Sequence, residues 1–155
     1  MKKIIFAIAF VATTLVNAQT NTFNQFFNEL DHQKGITTIA INKSMFNLLD
    51  ALELEQEEKQ LISKVDAVKM IVLDSSADKS IEKKFSTLLK NMKLEELMVV
   101  KDNGDKVSFY TEDSNAKSFK NLLLDISTPD EKMFLFVEGT IQLEDIKKTV
   151  TIVKK

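Results

Sequence analysis

Cysteine, arginine and tryptophan are absent from this 155-residue chain, which also has only three glycines and one proline. Without cysteine the protein forms no disulfide, no thiolate metal site and no thiol nucleophile. Three widely spaced glycines cannot build the glycine-rich loops that hold phosphates or dinucleotides. The fold must therefore be held by burial of its apolar side chains, which are 44% of the residues.

The absence of arginine and the net negative charge indicate which classes of partner this protein can bind. Every basic residue is lysine, and the formal net charge is −2. Arginine is the forked donor that suits phosphates and guanine edges, and an acidic surface repels the phosphate backbone. We therefore expect no nucleic-acid partner.

The first 18 residues have the pattern of a secretory signal peptide. Lys2 and Lys3 precede an apolar run of about a dozen residues, and small residues follow. Cleavage is expected between Ala18 and Gln19. The alternative, a membrane anchor, is disfavoured because the run is too short to span about 30 Å of hydrocarbon. We expect one exported domain, residues 19–155, periplasmic or secreted, with no stable membrane span after cleavage.

Apolar residues recur at helical spacing in several segments. The pattern predicts one bent helix or two within Lys43–Lys64. Four further helical stripes are predicted at Phe23–Leu30, Ile81–Met92, Phe119–Ile126 and Leu143–Val150. Asp78 or Ser80 is the expected N-cap of the helix that contains Phe85.

Strand patterns lie between these helices at Ile36–Asn42, Ala67–Asp74, Glu96–Asp102, Lys106–Glu112 and Lys132–Gly139. Two β-α-β-α runs hint at an internal duplication. Because βαβ crossovers are right-handed, they would place most helices on one side of the sheet. The predicted fold class is α+β, a mixed five-stranded sheet with helices packed mainly on one face and βαβ units related to ferredoxin-like architecture.

The segment Asp102–Asp105, with sequence DNGD, has two interpretations. Asn-Gly between two strand patterns predicts a tight hairpin turn, since a type I′ turn needs a positive φ at both central residues. A calcium loop would need oxygen ligands that alternate before Gly104 and a glutamate six residues after it. Lys101 and Tyr110 occupy two of those places, so we predict a turn.

Three segments together carry a family resemblance. They are GITTIAINKSMFNLLDAL, ELMVVKDNGDKVSFYTED and EKMFLFVEGTIQLEDIKK, and they resemble the bacterial family called domain of unknown function 4252. The resemblance covers about Phe23 to Lys148, and its most specific part is FVEGTIQLEDI, a strand, a turn at Gly139 and a helix start. It implies a small exported protein of this strand–helix order, with no catalytic or binding residues to transfer.

Few side chains suggest chemistry. His32 is the only histidine, and it lacks the partners that a catalytic triad or a zinc site needs. Asp74, Asp78 and Glu82 could in principle act as acids and bases, but a strand end followed by a capped helix explains them better. We predict no enzymatic activity, no catalytic residues, no cofactor and no metal site.

What remains is a binding surface. If the helices cover one sheet face, Tyr110, Phe134 and Phe136 are the candidate partner surface on the other. The alternative is that the first helix, with Phe23 and its neighbouring phenylalanines, folds over that face. We predict a module that binds an unknown envelope protein or peptide, with a regulatory role as one expectation. The alternative function is a small-molecule or lipid carrier with a phenylalanine-rich cavity.

Overall fold

The computed structural model of the protein describes residues 20–49 and 56–146. Within these residues the helical segments are α1 (residues 20–30), α2 (Lys43–Leu49), α3 (Gln56–Ser63), α4 (Ser80–Asn91) and α5 (residues 143–146). The strands are β1 (Ile36–Asn42), β2 (Val65–Leu73), β3 (Glu95–Asp102), β4 (Asp105–Thr111), β5 (Ser118–Ser127) and β6 (Lys132–Gln142).

All six strands form one sheet in the order β1-β2-β6-β5-β4-β3. Every neighbouring pair is antiparallel. The prediction of a five-stranded mixed sheet with βαβ units is therefore wrong, and so is the hint of a duplicated β-α-β-α unit. Strands β3 to β6 form a continuous meander, and α4 carries the chain from β2 across to the far edge of the sheet.

The error in the prediction lies in β5, which we expected to be a helix. Phe119, Leu122, Leu123 and Ile126 have helical spacing, but Ser118–Ser127 is a strand. The register of β5 on β6 shifts between Phe119 and Asn121. This bulge puts Phe119 and Leu122 in the same apolar cluster, while Leu123 belongs to the cluster on the opposite face. A bulged strand that is apolar on both faces thus imitates a helical period.

The predicted hairpin turn is confirmed. Asp102 pairs with Asp105, which closes a two-residue loop between β3 and β4. Asn103 has φ 46° and Gly104 has φ 99°, the two positive values that a type I′ turn requires. All five predicted strands, which correspond to β1, β2, β3, β4 and β6, occur in the structure with small differences at their ends.

One face of the sheet, here called the front face, is built around Ile71, Leu123, Phe134 and Phe136. It packs against α1 and α4 in a single apolar cluster. Phe134 stacks on Phe85 of α4 at 3.7 Å, and Phe136 stacks on Phe23 of α1 at 4.5 Å between ring centroids. Offset or stacked aromatic pairs contribute about 0.5–1.5 kcal/mol beyond the area that they bury. These two pairs hold α1 and α4 on the front face.

The opposite or back face is also apolar. It carries Phe109 and Leu122 and forms a second cluster with Phe119, Ile141 and Ile146. Helices α2, α3 and α5 lie over this face, because Phe46, Leu61 and Ile146 line one space with back-face residues. The expectation that helices pack mainly on one face is therefore wrong, since the described helices are divided between both faces.

Gly139 lies within β6, where we expected a turn. Strand β6 continues beyond it to Gln142, and Thr140 N–H donates a hydrogen bond to the carbonyl of Lys64 at 2.9 Å. A Cβ atom on residue 139 would lie 2.2 Å from that carbonyl oxygen. Glycine is thus needed here because the backbone that leads into β2 approaches β6 more closely than any side chain allows.

Gly139→Ala should destabilise the protein more than Gly104→Ala. Both glycines have positive φ, but a Cβ on Gly104 would meet only the Pro129 side chain at 3.7 Å. We expect a loss of about 1–2 kcal/mol for Gly104→Ala from backbone strain alone, and about 2–4 kcal/mol for Gly139→Ala from strain and overpacking. Urea unfolding followed by circular dichroism measures both. Equal losses would contradict the close-approach explanation.

Candidate functional site

The predicted partner surface is not exposed. Phe134 and Phe136 are each 0% exposed and belong to the front core, where α1 covers them. Tyr110 is partly buried against the same cluster. The prediction that these three residues form an accessible surface is corrected accordingly. The alternative, in which the first helix folds over this face, describes the structure.

Tyr110 nevertheless has an unusual environment. Its front-face neighbours include Asp125, and the ladder pairs Tyr110 with Glu96 of β3. Burial raises the pKa of the Tyr110 phenol above its ordinary value of 10.0, and the negative charges of Glu96 and Asp125 raise it further. Lys132 partly balances this acidity, with its ammonium 3.4 Å from Asp125 Oδ1. The phenol is therefore neutral at physiological pH.

Tyr110 is the only tyrosine and the chain has no tryptophan, so phenolate absorbance reports on this residue alone. We expect the folded protein to titrate above pH 10.0 and the urea-unfolded chain near the ordinary value. The folded state holds the phenolic proton more tightly, so the stability that the neutral phenol contributes is lost as pH rises through the unfolded and then the folded pKa. Identical midpoints in the two states would contradict the described environment.

The carboxylates of Asp74 and Asp78, in the loop after β2, accept hydrogen bonds from nearby residues of the same segment. Asp74 Oδ1 accepts hydrogen bonds from the Ser76 hydroxyl and the Ser76 N–H, both at 2.7 Å. Asp78 accepts from the Ser80 N–H at 2.8 Å, at the start of α4. The hydrogen bonds from Ser76 lower the pKa of the Asp74 carboxyl. Those from Ser80 lower the pKa of the Asp78 carboxyl. The interpretation of a strand end followed by a helix start is confirmed, but the predicted N-cap is wrong. Lys79, and not Asp78 or Ser80, is the N-cap of α4, and its own side chain makes no capping hydrogen bond.

His32 lies on the surface after α1. It has a left-handed φ of 63°, and its Nε2 is 3.2 Å from the Asp31 carboxylate. Across residues 20–49 and 56–146, no group of three or more histidine, cysteine or acidic side chains is placed to hold a metal ion. The predicted cleavage residues Ala18 and Gln19 lie outside the described part of the chain.

The back face contains an apolar cavity of about 260 Å³. Its floor is formed by strands β2, β4, β5 and β6, and its walls come from α2, α3 and α5. The lining residues are Phe46, Leu61, Ile62, Val65, Val68, Phe109, Leu122, Leu124, Leu135, Val137, Ile141, Asp145 and Ile146. Almost all the surface inside is hydrocarbon, so the space suits an apolar molecule.

An ion pair holds one end of this cavity. Lys64 Nζ lies 2.8 and 2.9 Å from the two carboxylate oxygens of Asp145, and Asp145 Oδ2 also accepts from the Gln142 N–H at 3.0 Å. The second bond resembles the reciprocal capping of a helix start. Together with the Thr140–Lys64 backbone bond, these contacts join the α3–β2 junction to the β6–α5 junction.

Sequence reasoning considered a cavity only for the alternative carrier function and did not place it on the back face, although one signal for that placement was present. Alternate residues of β6 such as Leu135 and Val137 are as apolar as Phe134 and Phe136, which indicates a strand buried on both faces. That signal predicts that other segments of the chain pack against the back face. It does not predict that the cover leaves a space, because the fit of α2 and α3 against the sheet depends on tertiary packing.

Comparison with known proteins establishes the family. A model of the family described as domain of unknown function DUF4252 matches residues 27–149. The chain belongs to the DUF4252 family. The matched region contains every residue that lines the cavity, from Phe46 to Ile146. Searches of curated proteins and of solved structures gave no match.

One further property concerns membranes. Among the described residues of this DUF4252 protein, no helix is both long enough and apolar enough to cross a bilayer.

Proposed function

We propose that this DUF4252 protein is a non-enzymatic binding protein of the cell envelope that holds a small apolar molecule or an acyl chain in the back-face cavity. The observation that carries the proposal is the cavity of about 260 Å³ with its nearly continuous hydrocarbon lining. Export rests on the signal-peptide pattern of residues 1–18. Binding of a lipid or a small molecule was the alternative function considered for the sequence. That alternative expected a phenylalanine-rich cavity, whereas Phe46 and Phe109 are the two phenylalanines among the residues that line this one.

The size of the cavity indicates the size of the ligand. An apolar cavity of about 150 Å³ accommodates benzene, so this larger space suits a medium-length chain or a fused ring system. Burial of about ten methylene groups contributes about 8 kcal/mol, from which several kcal/mol of association cost are subtracted. We therefore expect an affinity weaker than micromolar, between tens of micromolar and millimolar, for a simple hydrocarbon chain.

The charges at the cavity define which part of a ligand can enter. Asp145 is the only charged residue among the lining residues, and its carboxylate is paired with Lys64. A second charge inside would lose its hydration without a free partner. The apolar portion of the ligand is therefore expected to lie in the cavity, with any charged group outside it.

Val137→Phe should weaken ligand binding, because the added ring occupies the cavity. Val72→Phe is the matched control, since Val72 is on the same face but outside the lining residues. With an anilinonaphthalene dye and a series of saturated fatty acids as probes, we expect at least a tenfold loss of affinity for Val137→Phe, about 1.4 kcal/mol. Fluorescence titration and displacement measure it.

Several results would contradict the cavity as the binding site. Equal affinity of the two variants, or dye binding that no fatty acid displaces, are two of them. Circular dichroism and melting curves of both variants establish that the fold is retained. Native mass spectrometry of the protein purified from its own envelope tests whether it carries such a molecule at all.

Binding of a protein or peptide is the second candidate, and a different part of the back face favours it. Val72, Val107, Ile126 and Met133 lie there, outside the cavity lining, and all are partly exposed. A contiguous apolar patch on a protein surface often marks a partner site.

The two candidates respond to different substitutions. Val72→Lys should abolish capture of a stoichiometric protein partner after mild cross-linking in the native envelope, and it should leave dye binding in the cavity intact. Val137→Phe should have the opposite effects. Loss of partner capture with Val137→Phe alone would contradict a separate protein-binding surface.

A further inference from the structure

We propose that two copies of this protein pair through the outer edges of β1, antiparallel to each other, around a two-fold axis at Ile39. The two six-stranded sheets would thereby join into one continuous sheet. This inference goes beyond ligand binding and does not depend on it.

The two edge strands of the sheet differ in their protection. An edge strand of a monomeric protein usually carries charges, proline or a bulge, which prevent pairing with another chain. Strand β3 has Glu95, Glu96, Lys101 and Asp102, and a register irregularity follows Glu96. Strand β1 has the sequence ITTIAIN, with no charge and no proline, and its register on β2 is continuous. Only β1 is therefore an unprotected edge.

The ladder identifies which backbone groups of β1 point outward. Gly35 C=O accepts a hydrogen bond from the Asp74 N–H at 2.9 Å. Because antiparallel residues alternate, Gly35, Thr37, Ile39 and Ile41 direct their N–H and C=O groups towards β2. Thr38 and Ala40 direct theirs away from the sheet. Within the described residues, no strand lies on that side of β1.

A two-fold axis at Ile39 satisfies these outward groups. It places Thr38 of one copy opposite Ala40 of the other, so that each such pair exchanges two backbone hydrogen bonds. Ile39 of one copy then faces Ile39 of the other in a non-hydrogen-bonded pair, the type whose side chains lie closer together. No charged residue of β1 faces another, so the like-charge repulsion that destabilises cross-strand pairs does not arise.

The chemistry of β1 favours a second copy over an unrelated partner. Ile39 is 41% exposed, an unusual value for a large apolar residue of this chain, and pairing would bury it against its own counterpart. Just beyond β1, the charge of Lys43 is balanced by Asp66, at 2.6 Å. The Thr38 hydroxyl is bonded to Asp31 at 2.7 Å. The strand is thus held in place, and its exposed large apolar residue, Ile39, lies on the proposed axis.

A single engineered thiol tests the register, because the natural chain has no cysteine. The proposed pair at residue 39 has a Cα separation of about 4.5 Å, within the range of about 4.4–6.8 Å that a disulfide requires. Under mild oxidation we expect Ile39→Cys to give a disulfide-linked dimer in high yield. Val99→Cys is the matched control on the other edge strand, where the side chain is 36% exposed, and it should remain mostly monomeric.

Sedimentation equilibrium of cysteine-free protein tests whether the pairing occurs without a covalent link. We expect the average mass of the natural chain to double as concentration rises, the Ile39→Lys variant to remain monomeric and the Val99→Lys variant to dimerise normally. Circular dichroism verifies the fold of each variant. A natural chain that stays monomeric up to near-millimolar concentration would overturn the proposal. So would a dimer that Ile39→Lys leaves intact, or equal cross-linking of the two cysteine variants.

Discussion

The whole structure depends on a sheet that has no polar face. Along β6 the side chains of Phe134 and Phe136 point to one side, and those of Leu135 and Val137 point to the other. An antiparallel sheet usually buries one face and leaves the other in water. Here both faces need cover, and a single short chain must supply helices for both. The placement of α1 and α4 in front and of α2, α3 and α5 behind follows from this requirement.

The helices on the two faces of the sheet are held there by different contacts. On the front face, stacked phenylalanines fill the space between α1, α4 and the strands. On the back face, α2 and α3 are described over Lys43–Leu49 and Gln56–Ser63. The contacts around Lys64, Thr140 and Asp145 fix how the α3–β2 junction lies against β6. That junction is possible only because residue 139 has no side chain. Gly139, which lies in the segment that carries the family resemblance, therefore allows the α3–β2 junction to pack directly against β6 at one side of the cavity.

Much of this could be predicted from the sequence, and the failures have physical causes. The stripe of Phe23 and Phe26 predicted α1, and Asn103-Gly104 predicted the hairpin, because each pattern depends on local geometry alone. Leu122 to Leu124 are strong helix formers, and only the sheet around them makes them a strand, since tertiary context overrides weak propensity. The misassigned β5 supplied one βαβ unit of the predicted mixed sheet. The other was expected from β1 to β2, which the structure pairs antiparallel. The cavity depends on the fit between distant elements, which no local pattern records.

The difference between the two covers also explains why the back face is where binding is proposed. A front core of stacked rings is already filled, so a ligand could enter only by displacing aromatic contacts that stabilise α1 and α4. On the back face, the described residues leave a space of about 260 Å³ unfilled, in contrast to the close packing of a protein interior. The unfilled part is the cavity, and beyond it lies the partly exposed patch that includes Val72 and Met133. Because Ile39 carries the same apolar surface to the edge of the sheet, pairing through β1 would join the back faces of two copies into one continuous surface.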